Sequence, residues 1–245
     1  MESVNQVNDW VSNKTHSKIP FILPKDYNLN DVSLILVNAI YFKGSWEHKF
    51  EKDTIKREFQ NFNNKKIEVD TIYKSFSDIL YYEDEMISLS YISSSYEMII
   101  ILPRDNKYSS SYDYLNNENM NFTKVISKLK YVDNVDLYLP KFEFKYENEL
   151  NDILIEMGMK KAFSGQEAHF CKINTEQKLC ISDALHKNFI KVDQNGTEVA
   201  ASTAVIQLIT SAGPDQQIKQ YYMYVNHSFI FLITDNNIKE SDHNN

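Results

Sequence analysis

Cysteine, glycine, proline and arginine are all scarce in this chain. The two cysteines, Cys171 and Cys180, among 245 residues are too few for a disulfide framework or a four-ligand zinc site. They are expected as reduced thiols in the core. Five glycines and five prolines exclude collagen-like and Pro/Gly-rich disordered classes. No run reaches the roughly 18 apolar residues that a membrane-spanning helix needs, so no membrane partner is expected. Basic clusters are missing too: 26 Lys+Arg against 34 Asp+Glu leave a net charge of −8. An acidic chain without a basic stripe is a poor ligand for phosphate backbones, so no nucleic-acid partner is expected. The opening MESVNQVNDWVSNK lacks the apolar stretch of a signal peptide. The compartment expected is the cytoplasm, or the extracellular space if a preceding segment carried a signal.

Motifs of catalysis are equally absent. There is no GxGxxG, no GxxxxGK[ST], no HExxH and no CxxC. There is no GxSxG elbow, since Gly165 precedes Gln166. The six histidines (His16, His48, His169, His186, His227 and His243) include no i, i+4 pair that would set two metal ligands on one helix face. No metal, cofactor or catalytic residue is expected, and the chain does not read as an enzyme. The acidic trio Glu83-Asp84-Glu85 reads as a solvated turn.

What is present is an interleaving of strands and helices, expected as an α+β fold with mixed or antiparallel sheets. Val4, Val7, Trp10 and Val11 recur at helical spacing, in a helix ending before Pro20. Asp31–Phe42 is a nearly unbroken apolar run, expected as a strand buried on both faces. Short strands follow from Phe59 to Tyr82. Ile87–Ser93 and Tyr96–Leu102 read as a hairpin, Tyr112–Leu129 as helical, Val135–Phe144 as a strand and Glu147–Met157 as a helix capped by Gly158. Cys180–Val192 and Tyr221–Ile233 read as strands.

Asn195–Thr210, NGTEVAASTAVIQLIT, is small-residued and β-branched with a single charge, Glu198. Within it, Asn195–Ala204 is too small-residued to anchor a core, yet it has no Pro and no large ring to stop it entering a sheet. By itself it fits either an ordinary strand or linker, or a segment able to insert between strands. Taken with DALHKNFIKVDQN before it, GTEVAASTAV resembles the hinge and preceding central strand of a serpin. VNDWVSNKTHSKI (Val7–Ile19) resembles the serpin helix F motif, and LVNAIYFKGSW (Leu36–Trp46) the strand 3A and breach motif. LYLPKFEF (Leu137–Phe144), LNDILIEMGMKKAF (Leu150–Phe163) and VNHSFIFLI (Val225–Ile233) follow in serpin order. The missing signal and the Asn-, Lys-, Ile- and Tyr-rich usage resemble poxvirus intracellular serpins, with a host serine or cysteine protease as partner.

The resemblance implies a single partial serpin domain over 1–233, a reactive loop at about 195–220 and a polar, disordered tail at 234–245. It also implies a chain lacking helices A to E and the final strand. Serpins offer the loop as a substrate, then insert it into sheet A and deform the acylated protease. That implies a hinge at Gly196, Thr197, Glu198, Val199, Ala200, Ala201, Ser202 and Thr203, with Thr197, Val199, Ala201 and Thr203 facing inward and Glu198 outward. It implies a shutter at Asn38 and His186 and a breach residue at Trp46. Counting from Gly196 puts the scissile bond at Thr210-Ser211, the preferred position because hinge-to-bond length controls inhibition more strictly. Counting back from Phe229 puts it near Asp215 to Gln217, where Asp215-Gln216 would suit an aspartate-directed caspase or granzyme. The alternative is a non-inhibitory fragment that serves as a binding module or a degenerate product. The bare edge expected on strand 3A implies self-association and weakened inhibition.

Overall fold

The computed structural model describes residues 2–30, 32–92, 95–104, 111–116, 121–175, 178–197 and 219–235. In chain order its elements are α1 (Glu2–Lys14), β1 (Leu34–Tyr41), β2 (Gly44–Ser45), β3 (Ile55–Gln60), β4 (Lys66–Phe76), β5 (Ile79–Tyr82), β6 (Met86–Ser90) and β7 (Tyr96–Ile101). There follow α2 (Ser111–Leu115), α3 (Phe122–Ile126), β8 (Lys130–Val132), β9 (Val135–Pro140), β10 (Phe142–Glu149), α4 (Asn151–Glu156) and a 3-10 turn at Lys160–Phe163. The last strands are β11 (Ile181–Asp193), β12 (Gly196–Thr197), β13 (Tyr221–Tyr224) and β14 (Ile230–Asp235). Within the one domain expected over 1–233, two compact units are distinguished: 1–42 with 143–190, and 43–142 with 191–245.

In the first unit, α1 forms because Val4, Val7 and Val11 make one apolar stripe on a polar helix. Val4 and Val11 are buried with Ile19, Ile22, Leu23 and Phe189, and Ile35, Val37, Ala39 and Tyr41 of β1 pack against them. Trp10, expected in that stripe, is instead 56% exposed. It lies beside Val11 in sequence, about 100° round the helix, and so misses the stripe. A buried side chain ties the connector to the helix. Asn8 Oδ1 accepts from the backbone N–H of Ile22 and of Leu23, both at 2.9 Å, and Asn8 Nδ2 donates to Leu23 O at 2.9 Å. Strand β1 pairs in parallel with β11, Leu36 opposite Ala184 and Tyr41 opposite Phe189, and β10 also pairs with β11.

Burial of β1 differs from expectation. Only its alternate residues meet the α1 core, while Leu36 and Ile40 are 39% and 48% exposed. Among the described residues β1 has a strand neighbour on one side alone. An unbroken apolar run shows that both faces can be covered, not that both are. The helix expected from Glu147 starts at Asn151, because the alternating Phe142–Glu149 continues as strand. Nor are the cysteines core thiols: Cys171 is exposed and Cys180 half-buried.

The second unit holds two sheets. One runs β13-β9-β4-β3, with β13 parallel to β9 and the other pairs antiparallel. The other runs β14-β7-β6-β5-β8. Ile99, Ile100, Leu137, Leu139, Ile72 and Met223 are fully buried in it. Thr234 and Asp235, expected in the tail, pair with Glu97 and Tyr96, and Thr234 Oγ1 donates to Glu97 Oε1; 236–245 lie outside the described residues. Two polar residues are held there by ladder bonds that their composition does not reveal.

Replacing Asn8 tests the connector. Asn8→Ala would strand two buried N–H groups and one C=O, a loss of about 2–4 kcal/mol. The expected outcome is a lower urea midpoint at an unchanged m-value.

Candidate functional site

The residues singled out from the sequence fall in two places. In the first unit, Asn38 and His186 stand opposite each other in the β1–β11 register. Asn38 Nδ2 is 3.0 Å from His186 Nδ1. The amide nitrogen is a donor, so the contact uses the His186 Nδ1 lone pair as its acceptor. The Tyr146 ring of β10 lies 6.2 Å from the imidazole, centroid to centroid.

Successive side chains of a strand point to opposite faces, so Lys187 turns away from the Asn38 side. It is buried, and its Nζ donates to Phe21 O at 3.1 Å, pairs with Glu147 at 2.9 Å and sits 4.4 Å from the Phe21 ring centroid. A buried ammonium is tolerated only with such partners. The residue therefore fastens the α1–β1 connector to β11 and β10. Sequence reasoning missed it, because one lysine in a strand carries no pattern.

In the second unit Trp46 is fully buried. Its ring stacks on Tyr91 at 4.7 Å and 17° and meets Phe50 edge-on at 6.1 Å. Its Nε1 donates to Asp193 O at 3.0 Å, and its backbone N–H to Asn195 O at 3.1 Å. Just beyond, β12 is clamped between the end of β11 and β2: Thr197 pairs with Val192 and with Gly44, and Gly196 with Asp193 and with Ser45. Thr197 is completely buried, its Oγ1 2.7 Å from the Tyr91 hydroxyl. Burial pushes the Tyr91 phenol above its ordinary range, so it stays neutral and able to share a proton with Thr197.

Two glycines allow this approach. Gly196 has φ +148°, and a Cβ there would lie 2.1 Å from Gly44 O and 2.7 Å from Ser45 Cα. A Cβ on Gly44 would lie 2.5 Å from the Tyr91 ring. Neither Tyr91 nor Asp193 was signalled by the sequence, whereas Trp46 was, through its motif. A cavity of about 250 Å³ opens beside Trp46, walled by Phe50, Phe76, Ser88 and Tyr131 among others. No group of three metal-ligating side chains occurs among the described residues.

Glu198, Val199, Ala200, Ala201, Ser202 and Thr203 lie outside the described residues, as do both bond candidates, Thr210-Ser211 and Asp215-Gln216. What is visible is where that segment departs and returns. It leaves from the clamped pair Gly196-Thr197 and re-enters at Lys219, two residues before β13.

A family model described as serpin (serine protease inhibitor) matches residues 1–240. An uncharacterised serpin-like protein of Methanosarcina acetivorans is 37% identical, over 96% of this chain and 54% of its own. Human Serpin B4 is 33% identical, over 96% of this chain and 60% of its own. The crystal structure of the thermophilic serpin tengpin in its native state superposes with a TM-score of 0.79 at 30% identity, over 96% of this chain and 60% of that one. The chain thus spans little more than half the length of the curated relatives it matches.

Gly196→Ala tests the clamp. The new methyl would meet backbone rather than a side chain that can swing away, at a φ that alanine rarely adopts. A destabilisation of about 3 kcal/mol is expected, measured as a fall in melting temperature. Substitution of the uncrowded Gly165, where a Cβ meets nothing within 4 Å, should leave it unchanged.

Proposed function

The chain belongs to the serpin family, and on that premise we propose that it inhibits a protease by offering 198–218 as bait and then inserting the cleaved segment into its own sheet. It acts in this reading as an inhibitor and not as an enzyme. The observation that carries the reading is the parallel β1–β11 pair. A strand entering between two parallel neighbours runs antiparallel to both. One parallel ladder is then exchanged for two antiparallel ones, which are more stable per residue and twice as many. The energy available to distort a bound protease is this difference, stored until the bait is cut.

Asn38 and His186 act as the shutter on this pathway. Their hydrogen bond spans the two strands that must part, so it holds them closed until an incoming backbone replaces it. Trp46 forms the breach: with Tyr91 it fixes Thr197, the first residue to be drawn in. The alternating small residues Thr197, Val199, Ala201 and Thr203 suit the inward face of the inserted strand, and Glu198 the outward one. The protease attacks Thr210-Ser211. Asp215-Gln216 is the second candidate, and it would select an aspartate-directed enzyme.

A second reading, a chain that associates with partners without inhibiting, is favoured by the one-sided pairing of β1 among the described residues and by the exposure of Leu36 and Ile40. Apolar edges of this kind pair with other chains. One experiment separates the two. The chain is incubated with pancreatic elastase, a caspase and granzyme B, and the products are resolved on denaturing gels. The expected outcome is an SDS-stable complex with one of them, and its replacement by simple cleavage in Ala201→Arg, whose side chain cannot enter the sheet. Cleavage without a complex in the unaltered chain supports the second reading.

A further inference from the structure

The sheet β13-β9-β4-β3 has one buried and one exposed face, and the exposed face is unusual. Tyr224, Tyr138 and Tyr73 stand directly opposite one another on three neighbouring strands. Their rings follow at centroid spacings of 4.8 Å and 4.8 Å. Tyr222 continues the row along β13, 6.2 Å from Tyr224 and only 3° from parallel. The Arg57 guanidinium lies over this row, 4.3 Å from the Tyr138 centroid and 4.7 Å from that of Tyr224.

The row does not serve the core. Met223, Leu137, Leu139 and Ile72 already fill the opposite face, while Tyr222 and Tyr224 remain 48% and 39% exposed. Arg57 has no carboxylate partner among the described residues, although its neighbours are paired, Glu58 with Lys66 at 2.7 Å and Lys56 with Asp70 at 3.0 Å. At the other end the Tyr73 hydroxyl is held by Ser75 at 2.8 Å and by Asp136 at 3.3 Å. Burial, Tyr73 and Tyr224 hold the Tyr138 phenol above its ordinary value, so that ring stays neutral beneath Arg57. Rigid, amphipathic rings around a lone guanidinium are the composition of protein interface centres.

We propose that this face is a docking surface for the protease that engages 198–218, one that sets a carboxylate against Arg57 and an apolar side chain on Tyr222 and Tyr224. The continuity of the chain selects that partner. Residues on the leaving-group side of either candidate bond run directly into β13, and Tyr222 lies four residues beyond 218, about 14 Å of extended chain at most. A protease seated on the segment buries roughly 800 Å² of its partner, and this row is joined to the segment's end by only those few residues. The proposal rests on the protease-inhibitor reading above, but it concerns encounter rather than insertion.

The test compares the whole chain with a peptide of residues 198–218 as substrates of pancreatic elastase and granzyme B, at low and high salt. With the enzyme that cuts the segment, the chain should react about tenfold faster than the peptide at low salt, an advantage that shrinks as salt rises. Arg57→Gln should lose most of that advantage. Tyr222→Ser, altered at a half-exposed ring, should lose part of it, with both variants melting as the parent does. Reaction at the parent rate by both variants overturns the proposal, and so does failure of both enzymes to cut the segment. Cleavage slowed by Arg57→Gln with no SDS-stable complex from the parent would overturn the inhibitory reading and leave the docking surface standing.

Discussion

Strand β11 is the constraint from which the remaining arrangement follows. It is thirteen residues long and accepts β1 alongside it in parallel. That pairing brings Asn38 to His186. Strand alternation then sends Lys187 to the opposite face, where its charge has to be neutralised, and Phe21 O and Glu147 are recruited to do so. Two residues further on, Phe189 enters the core under α1. At its far end Asp193 O receives the Trp46 indole, and Val192 receives Thr197. Parallel pairs cannot be closed by a tight turn, so the long stretch between β1 and β11 is a topological requirement of this one contact.

The two units solve different problems. Around α1, polar atoms do the fastening: Asn8 satisfies three backbone groups of the connector, and Thr15 Oγ1 donates to Val11 O at 2.8 Å and accepts from the Ile19 N–H at 3.1 Å. Such bonds are worth little net but cost much if broken in a dry setting, which makes the connector specific in position without making it rigid in energy. In the second unit aromatic packing dominates, through Trp46 with Tyr91 and Phe50 and through the tyrosine row over β9 and β13.

Much of this was legible in the sequence because the motifs pair neighbouring residues with fixed geometric duties. LVNAIYFKGSW carries the strand, the asparagine that meets His186 and the buried indole in one run. The Asn38–His186 pair followed from two such runs and not from either alone. What could not be read depended on partners distant in the chain. The exposure of Leu36 and Ile40 is a property of what lies against β1. The inclusion of Thr234 and Asp235 in β14 reflects ladder bonds to β7, which override composition. The tyrosine row needs the registers of three strands before its members become neighbours, and Tyr91 needs the fold before it meets Thr197.

The crossing of Gly44 and Gly196 bears on how such chains can diverge. With each backbone filling the space a side chain would need, neither partner can slide, and a residue added or deleted between Asp193 and Thr197 would break the contact. Thr197 is thereby a fixed point of the chain: a residue added or removed on its far side leaves the Gly44–Gly196 crossing as it is, whereas one inserted within the crossing does not.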